Sequence, residues 1–168
     1  MDSKVKSYVD EDTASQILDE HIKKTIKKEY TVVSKTLALN PYYVYNNRIS
    51  IKRGFKLKPR IIEHLYWVNT LDGSLIRTKD IPDLDVFENE SIQQPKLDKE
   101  KCERLSRENA YKHTIRFYKT FWTPNIEAEY KGKIYIPFWN IVVCLTNKNE
   151  QHTYAINSFS GEISKQVN

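Results

Sequence analysis

Two spacings of apolar residues alternate along the chain, and the switch between them marks its elements. Ala14, Ile17, Leu18, Ile22 and Ile26 follow the three-and-four spacing of one helix face. Asp12 or Thr13 is placed to cap the start of that helix by accepting from free backbone N–H groups. Asp10, Glu11 and Asp12 stand at the positive end of its dipole. Lys23, Lys24, Lys27 and Lys28 stand at the negative end, which reads as a stabilised, solvated helix end. Strand-like sequence follows over residues 36–51, with Pro41 placing its start at a sheet edge or a bend. After the basic stretch 52–60 comes "IIEHLYWVNTLDGSLIRTK", two apolar runs about the tight-turn pair Asp72-Gly73.

The pattern then lapses. Residues 80–97 hold two prolines, several carboxylates and no sustained period, so they read as an acidic, proline-containing linker. Asp83, Asp85, Glu88 and Glu90 do not have the spacing of a calcium loop, and Asn89-Glu90-Ser91 is a glycosylation sequon only in an exported chain. A second helix begins at Asp98, its cap, with Cys102, Leu105, Ala110, Ile115 and Phe117 on the apolar side and Tyr111 and Tyr118 widening it. "IEAEYKG" and "KIYIPFWNIVVCLT" read as two strands or one long bent one. "NKNE" turns the chain, and "QHTYAINSFSGEIS" closes it.

The order of elements therefore repeats. "HLYWVNTLDGSLI" and "HTYAINSFSGEI" match at His64 and His152, Tyr66 and Tyr154, Asn69 and Asn157, and Gly73 and Gly161. Upstream, "NPYYVY" and "IPFWNI" each place two aromatics after a proline. Strand alternation puts Tyr66 and Val68 on one face with His64, and Tyr154 and Ile156 on one face with His152. That matched face is expected to pack on the helix of its own copy. The opposite faces differ, Leu65 and Trp67 against Thr153 and Ala155, so Trp67 reads either as an interface residue or as one covered by a loop. The two glycines supply the positive φ of a turn.

In "YWVNTLDGSLI" and "YAINSFSGEI", each with a helix upstream starting near Ala14 or Ala110, the chain resembles the PepSY family. That family consists of small helix-plus-antiparallel-sheet modules of protease propeptides and bacterial cell-envelope proteins. Asn69 and Asn157 stand where the family has Asp. The resemblance implies an α+β fold of two similar units, each one helix packed on an antiparallel β-sheet, over residues 1–79 and 98–168 with the linker 80–97 between them. It implies a non-catalytic protein-binding, regulatory or inhibitory module acting on a protease or a cell-envelope protein, and carries no catalytic residues.

Composition narrows the chemistry further. Of 168 residues, 12% are aromatic and only four are Gly, which favours strands with packed aromatic faces. No apolar run approaches the ~20 residues that span a bilayer, and the first sixteen residues hold no apolar signal core. As written, the chain is expected in the cytoplasm, or as a soluble extracytoplasmic region without its signal or anchor. Cys102 and Cys144 form neither a metal cluster nor a disulfide framework; Cys144, in "NIVVCL", reads as a buried, inert thiol, and a bond between the two is left open. His21, His64, His113 and His152 form no metal-ligand spacing, so no metal or cofactor is expected; His64 and His152 read as sharing a structural role, such as a hydrogen bond at a strand start.

The net charge of +5 is uneven. Residues 1–79 carry fifteen Lys and Arg against nine Asp and Glu, and residues 80–168 twelve against thirteen. The excess gathers in "RISIKRGFKLKPR", where Arg48, Lys52, Arg53, Lys56, Lys58 and Arg60 interleave with apolar residues including Phe55. Three readings stand for this stretch: lysines guarding a strand edge, a surface for an acidic protein or membrane, and a β-ribbon tracking nucleic-acid phosphates. The candidate partner-binding residues are thus Arg48, Lys52, Arg53, Phe55, Lys56, Lys58 and Arg60, with Leu65 and Trp67 on the second face of the hairpin.

Overall fold

Both helices form, and each starts at an aspartate. In the computed structural model, which describes residues 3–27, 29–86, 91–120, 122–146 and 150–166, α1 spans Glu11–Thr25 and α2 spans Lys99–Tyr118. Asp98 caps α2 as expected, its Oδ1 accepting from the N–H of Lys101 at 2.7 Å. Asp10, rather than Asp12 or Thr13, caps α1. Its Oδ1 accepts from Thr13 at 2.8 Å and its carbonyl from Ala14 at 2.9 Å, which leaves Asp12 inside the first turn. Lys23 and Lys24 pair back to Asp19 and Glu20 at 2.5 and 3.6 Å; Lys28 lies outside the described residues.

The strands are β1 (Ser3–Val5), β2 (Tyr30–Ile51), β3 (Arg60–Asn69), β4 (Leu75–Thr78), β5 (Leu84–Asp85), β6 (Ser91–Ile92), β7 (Asn125–Leu145), β8 (Glu150–Asn157) and β9 (Ile163–Gln166). The fold class is α+β with mostly antiparallel pairing; the short bridge of β6 to β2 is parallel. Pro41 does not mark a strand start: β2 runs through it, and its carbonyl accepts both the N–H and the hydroxyl of Thr70 at 3.0 and 2.9 Å. The two runs after α2 are one strand, β7. The stretch read as a linker contains β5 and β6, while Glu88, Asn89 and Glu90 lie outside the described residues.

The chain divides into two compact units, each assembled from separated segments. The first comprises Met1–Asn40, Asp83–Gln93 and Tyr135–Asn168. In it β7 pairs with β8 from Phe138↔Asn157 to Leu145↔Glu150, and β8 pairs with β9. Ala14, Leu18 and Ile22 of α1 pack on Ile141 and Val143 of β7 and on Tyr154 and Ile156 of β8. All of these are essentially excluded from water, so the hydrophobic effect holds helix to sheet here.

The second unit comprises Pro41–Pro82 and Gln94–Ile134. There β2 pairs with β3 from Tyr42↔Asn69 to Ile51↔Arg60, and β3 with β4. Ala110 of α2 lies among Ile49, Ile51, Tyr66 and Ile126, and Cys102 packs with Tyr45 and Val68. The stripe that α2 buries is Cys102, Ser106, Ala110 and Thr114, smaller and more polar than the Ala14, Leu18 and Ile22 of α1.

One expectation is thereby corrected. The faces carrying Tyr66 and Val68, and Tyr154 and Ile156, do pack on helices, but on α2 and α1 respectively, each the helix of the other copy. The two faces are nearly the same chemically and apolar burial is non-directional, so periodicity could not tell one helix from the other. The hairpin ends agree in detail. Leu71 N–H donates to Asn69 Oδ1 and Phe159 N–H to Asn157 Oδ1, both at 2.9 Å. Gly73 and Gly161, with φ of +79° and +73°, donate to the carbonyls of Asn69 and Asn157 at 2.8 Å. Among the described residues no helix is long and apolar enough to cross a membrane.

Candidate functional site: a basic and aromatic pocket

The basic stretch forms the loop that closes the β2–β3 hairpin in the second unit. Residues 52–59 leave the ladder after the Ile51↔Arg60 pair, and the chain reverses through Gly54 and Lys56, with φ of +128° and +73°. A positive φ on lysine is uncommon, because its Cβ crowds the backbone there. Arg53 Nε donates to the carbonyl of Lys58 at 3.2 Å and closes the loop on itself. Phe55 stands at the tip with 94% of its surface exposed, and Leu57 is 61% exposed.

Beside this loop is a cavity of about 360 Å³, reached from both the hairpin and the end of α2. Lys52, Arg53 and Arg60 line it from the hairpin; Tyr118, Lys119 and Trp122 line it from the helix end. The Arg60 guanidinium lies over the Tyr118 ring, 4.8 Å from its centroid, and Trp122 keeps 47% of its surface exposed. Lys119 ends α2 in the left-handed conformation (φ +43°), placing a cation at the negative end of the helix dipole. Thr120 Oγ1, also in the lining, is buried without a hydrogen-bond partner among the described residues.

Charge separates this cavity from its neighbours. Four cations and no carboxylate line it. A 640 Å³ cavity in the first unit mixes Lys23 and Lys27 with Asp19 and Glu29, and a 390 Å³ groove along α2 mixes Arg107 and Lys112 with Glu108. At the hairpin end four cations stand around two aromatic faces with no carboxylate in the lining, an arrangement that attracts an anionic group and offers its apolar part a flat surface.

The predicted residues divide into three groups. Lys52, Arg53 and Arg60 line the cavity. Arg48, Phe55, Lys56 and Lys58 are exposed but outside its lining, and Arg48 is 3.8 Å from Glu63. Leu65 is half-buried, and Trp67, on β3 opposite Val44 and Ile76, is 1% exposed and presents no surface to a partner. Tyr118, Lys119 and Trp122 were missed. They sit in "YKTFW", whose mixture of basic and aromatic residues was the available signal, but it reads as a fraying helix end until the hairpin is seen beside it.

The other candidate groups are accounted for. Both cysteines are free thiols. Burial, with the Asp98 carboxylate adding to it, pushes the Cys102 thiol up to about 11, and Cys144 is half-buried rather than buried. Among the described residues no His, Cys, Asp and Glu gather into a metal site. Among the described residues the expected hydrogen bond of His64 and His152 is not made through Nδ1, which is buried without a partner there in both. Comparison with protein-family models, with curated proteins and with solved structures gives no match to this chain.

Proposed function

We propose that this chain is a non-catalytic binding module that recognises an acidic segment of a partner protein at the hairpin-end pocket. The observation that carries this reading is the lining itself: Lys52, Arg53, Arg60 and Lys119 around Tyr118 and Trp122, with no carboxylate among them. An Asp or Glu side chain entering the pocket gains charge-assisted hydrogen bonds from the arginines, while its neighbours cover the exposed Phe55 and Leu57. The cavity is the size of a few side chains, which suits a peptide segment. In this reading the chain is an internal duplication of the PepSY-like kind, and a protease or a cell-envelope protein is the class of partner it regulates or inhibits.

Single-stranded nucleic acid is the second reading, favoured by one feature: cations next to Tyr118 and Trp122 are what stacked bases and their phosphates require. A titration separates the two. An Asp/Glu-rich peptide and a single-stranded oligonucleotide of equal charge are each added to the full chain at low and high salt. The peptide is expected to bind more tightly, to weaken with salt, and to lose at least ~10-fold in affinity in K52E/R53E. Tighter oligonucleotide binding transfers the assignment to nucleic acid. Binding of either probe that ignores the charge reversal, or no binding of either, overturns the pocket assignment.

A further inference from the structure

The two hairpins hold a histidine at the same position and place different charged neighbours beside it. In the first unit His152 Nε2 lies 3.7 Å from the carboxylate of Glu150. At the position matching Glu150 the second unit has Ile62. His64 instead stands edge-on to His113 of α2, ring centroids 6.1 Å apart, and Arg77 Nη1 of β4 contacts His113 Nε2. The remaining charges acting on the two imidazoles, Lys79 and Arg116, are also cationic. Phe117 flanks His113 with its ring centroid 4.3 Å away.

This concentration of like charge has a consequence at each atom. Arg77 only donates, so its contact with Nε2 requires a neutral His113 accepting at that nitrogen. Protonating His113 would turn acceptor into donor and set two cations against each other. Nδ1 of His64 is buried and has no hydrogen-bond partner among the described residues. Arg77 of β4 thus lies between His113 Nε2 of α2 and the Tyr66 hydroxyl of β3, neutral groups both, and the charged side chains acting on the two imidazoles are all cationic.

We propose that His64, Arg77 and His113 form a binding site for a doubly charged oxyanion of the sulfate or phosphate class. Such an anion accepts from the Arg77 fork and from both imidazoles once they are protonated. Burial first, then Arg77 and Lys79, hold His64 below the ordinary histidine value; burial, Arg77, His64 and Arg116 do the same for His113. Both rings are thus neutral in the empty site at neutral pH, and binding draws protons in. The site shares no residue with the hairpin-end pocket and stands or falls separately from it.

Sulfate is the suitable probe, because its charge is constant through the pH range in which histidine titrates. Added to the full chain at about pH 5.5, it is expected to shift the imidazole NMR signals of His64 and His113 and to bind at least ~10-fold more tightly than at about pH 8. Calorimetry in two buffers of different ionisation enthalpy should register proton uptake on binding. Arg77→Gln and His113→Gln should each weaken binding ~10-fold or more, Arg77→Lys less, and K52E/R53E not at all. Circular dichroism checks that each variant is folded, and the imidazole shifts in the unaltered chain test the site even where a variant is not. Binding that does not change with pH, leaves the two imidazoles unmoved, or disappears in K52E/R53E overturns the proposal. A phosphoserine peptide that binds more tightly than inorganic phosphate would place the anion on a partner; the reverse order would make it a free ion.

Discussion

Asn47 and Ser106 show how two copies of one plan diverge at single side chains. Both are fully buried, and Asn47 Nδ2 donates to Ser106 Oγ at 2.6 Å, while Asn47 Oδ1 is without a partner among the described residues. In the first unit the matching strand and helix positions hold Val143 and Leu18, an apolar pair in a dry core. Removing one partner from a buried polar pair costs more than removing both, since the survivor remains desolvated. Ser106→Ala should therefore destabilise by ~1–3 kcal/mol, and adding Asn47→Val should recover most of that loss. Urea unfolding of the two single variants and the double one gives the coupling energy; additive losses would mean that this hydrogen bond is not what the pair contributes. Sequence alone showed little of this. Serine at a core-facing helix position looks like a break in the apolar stripe until the asparagine opposite it is known.

At the scale of elements, the aspartates that open the helices divide their roles. Asp98→Ala should cost ~1 kcal/mol, the usual worth of an N-cap. Asp10 carries a pH signature as well, because hydrogen bonds from Thr13 hold its carboxyl below the ordinary value. Its stabilising contribution is present above the unfolded-state carboxylate pKa and is lost as pH falls through the lower folded value. Asp10→Asn keeps the acceptor and removes the titration, so its thermal midpoint should fall less than that of the unaltered chain on acidification below about pH 4. Parallel curves would show that the cap does not contribute to acid unfolding. Helix periodicity and capping residues made both helices legible, and Asp-Gly and Ser-Gly revealed the hairpin turns. β5 and β6 were not legible, since two-residue strands with exposed side chains leave no periodic mark. Half the pocket was legible, the half written contiguously as Lys52 to Arg60. Tyr118, Lys119 and Trp122 reach it from a different element, and only the fold brings the two together.

For the whole molecule, the crossed packing of helices and hairpins decides what can fold alone. The core that buries Leu18 is completed by Ile141, Val143, Tyr154 and Ile156, and the one that buries Tyr66 by Ala110 of α2. Every such contact joins residues far apart in sequence, so loop closure must precede the reward of burial and folding should be slow for a chain of this size. The segments 1–79 and 98–168, produced separately, each hold a helix and the hairpin that this helix does not cover. Each should show poorly dispersed amide spectra alone, and an equimolar mixture should regain native dispersion in a concentration-dependent way. The competing outcome is equally definite. The hairpin faces are alike enough for each helix to fold back onto its own copy, as in domain swapping run in reverse. Two independently folded halves that ignore each other would show that closed packing to be the more stable, leaving the sequence between the copies to impose the exchange. Ser106 argues against closure: facing Val143 and Ile141 in place of Leu18, it would lose the amide of Asn47 and leave a void beside its buried hydroxyl.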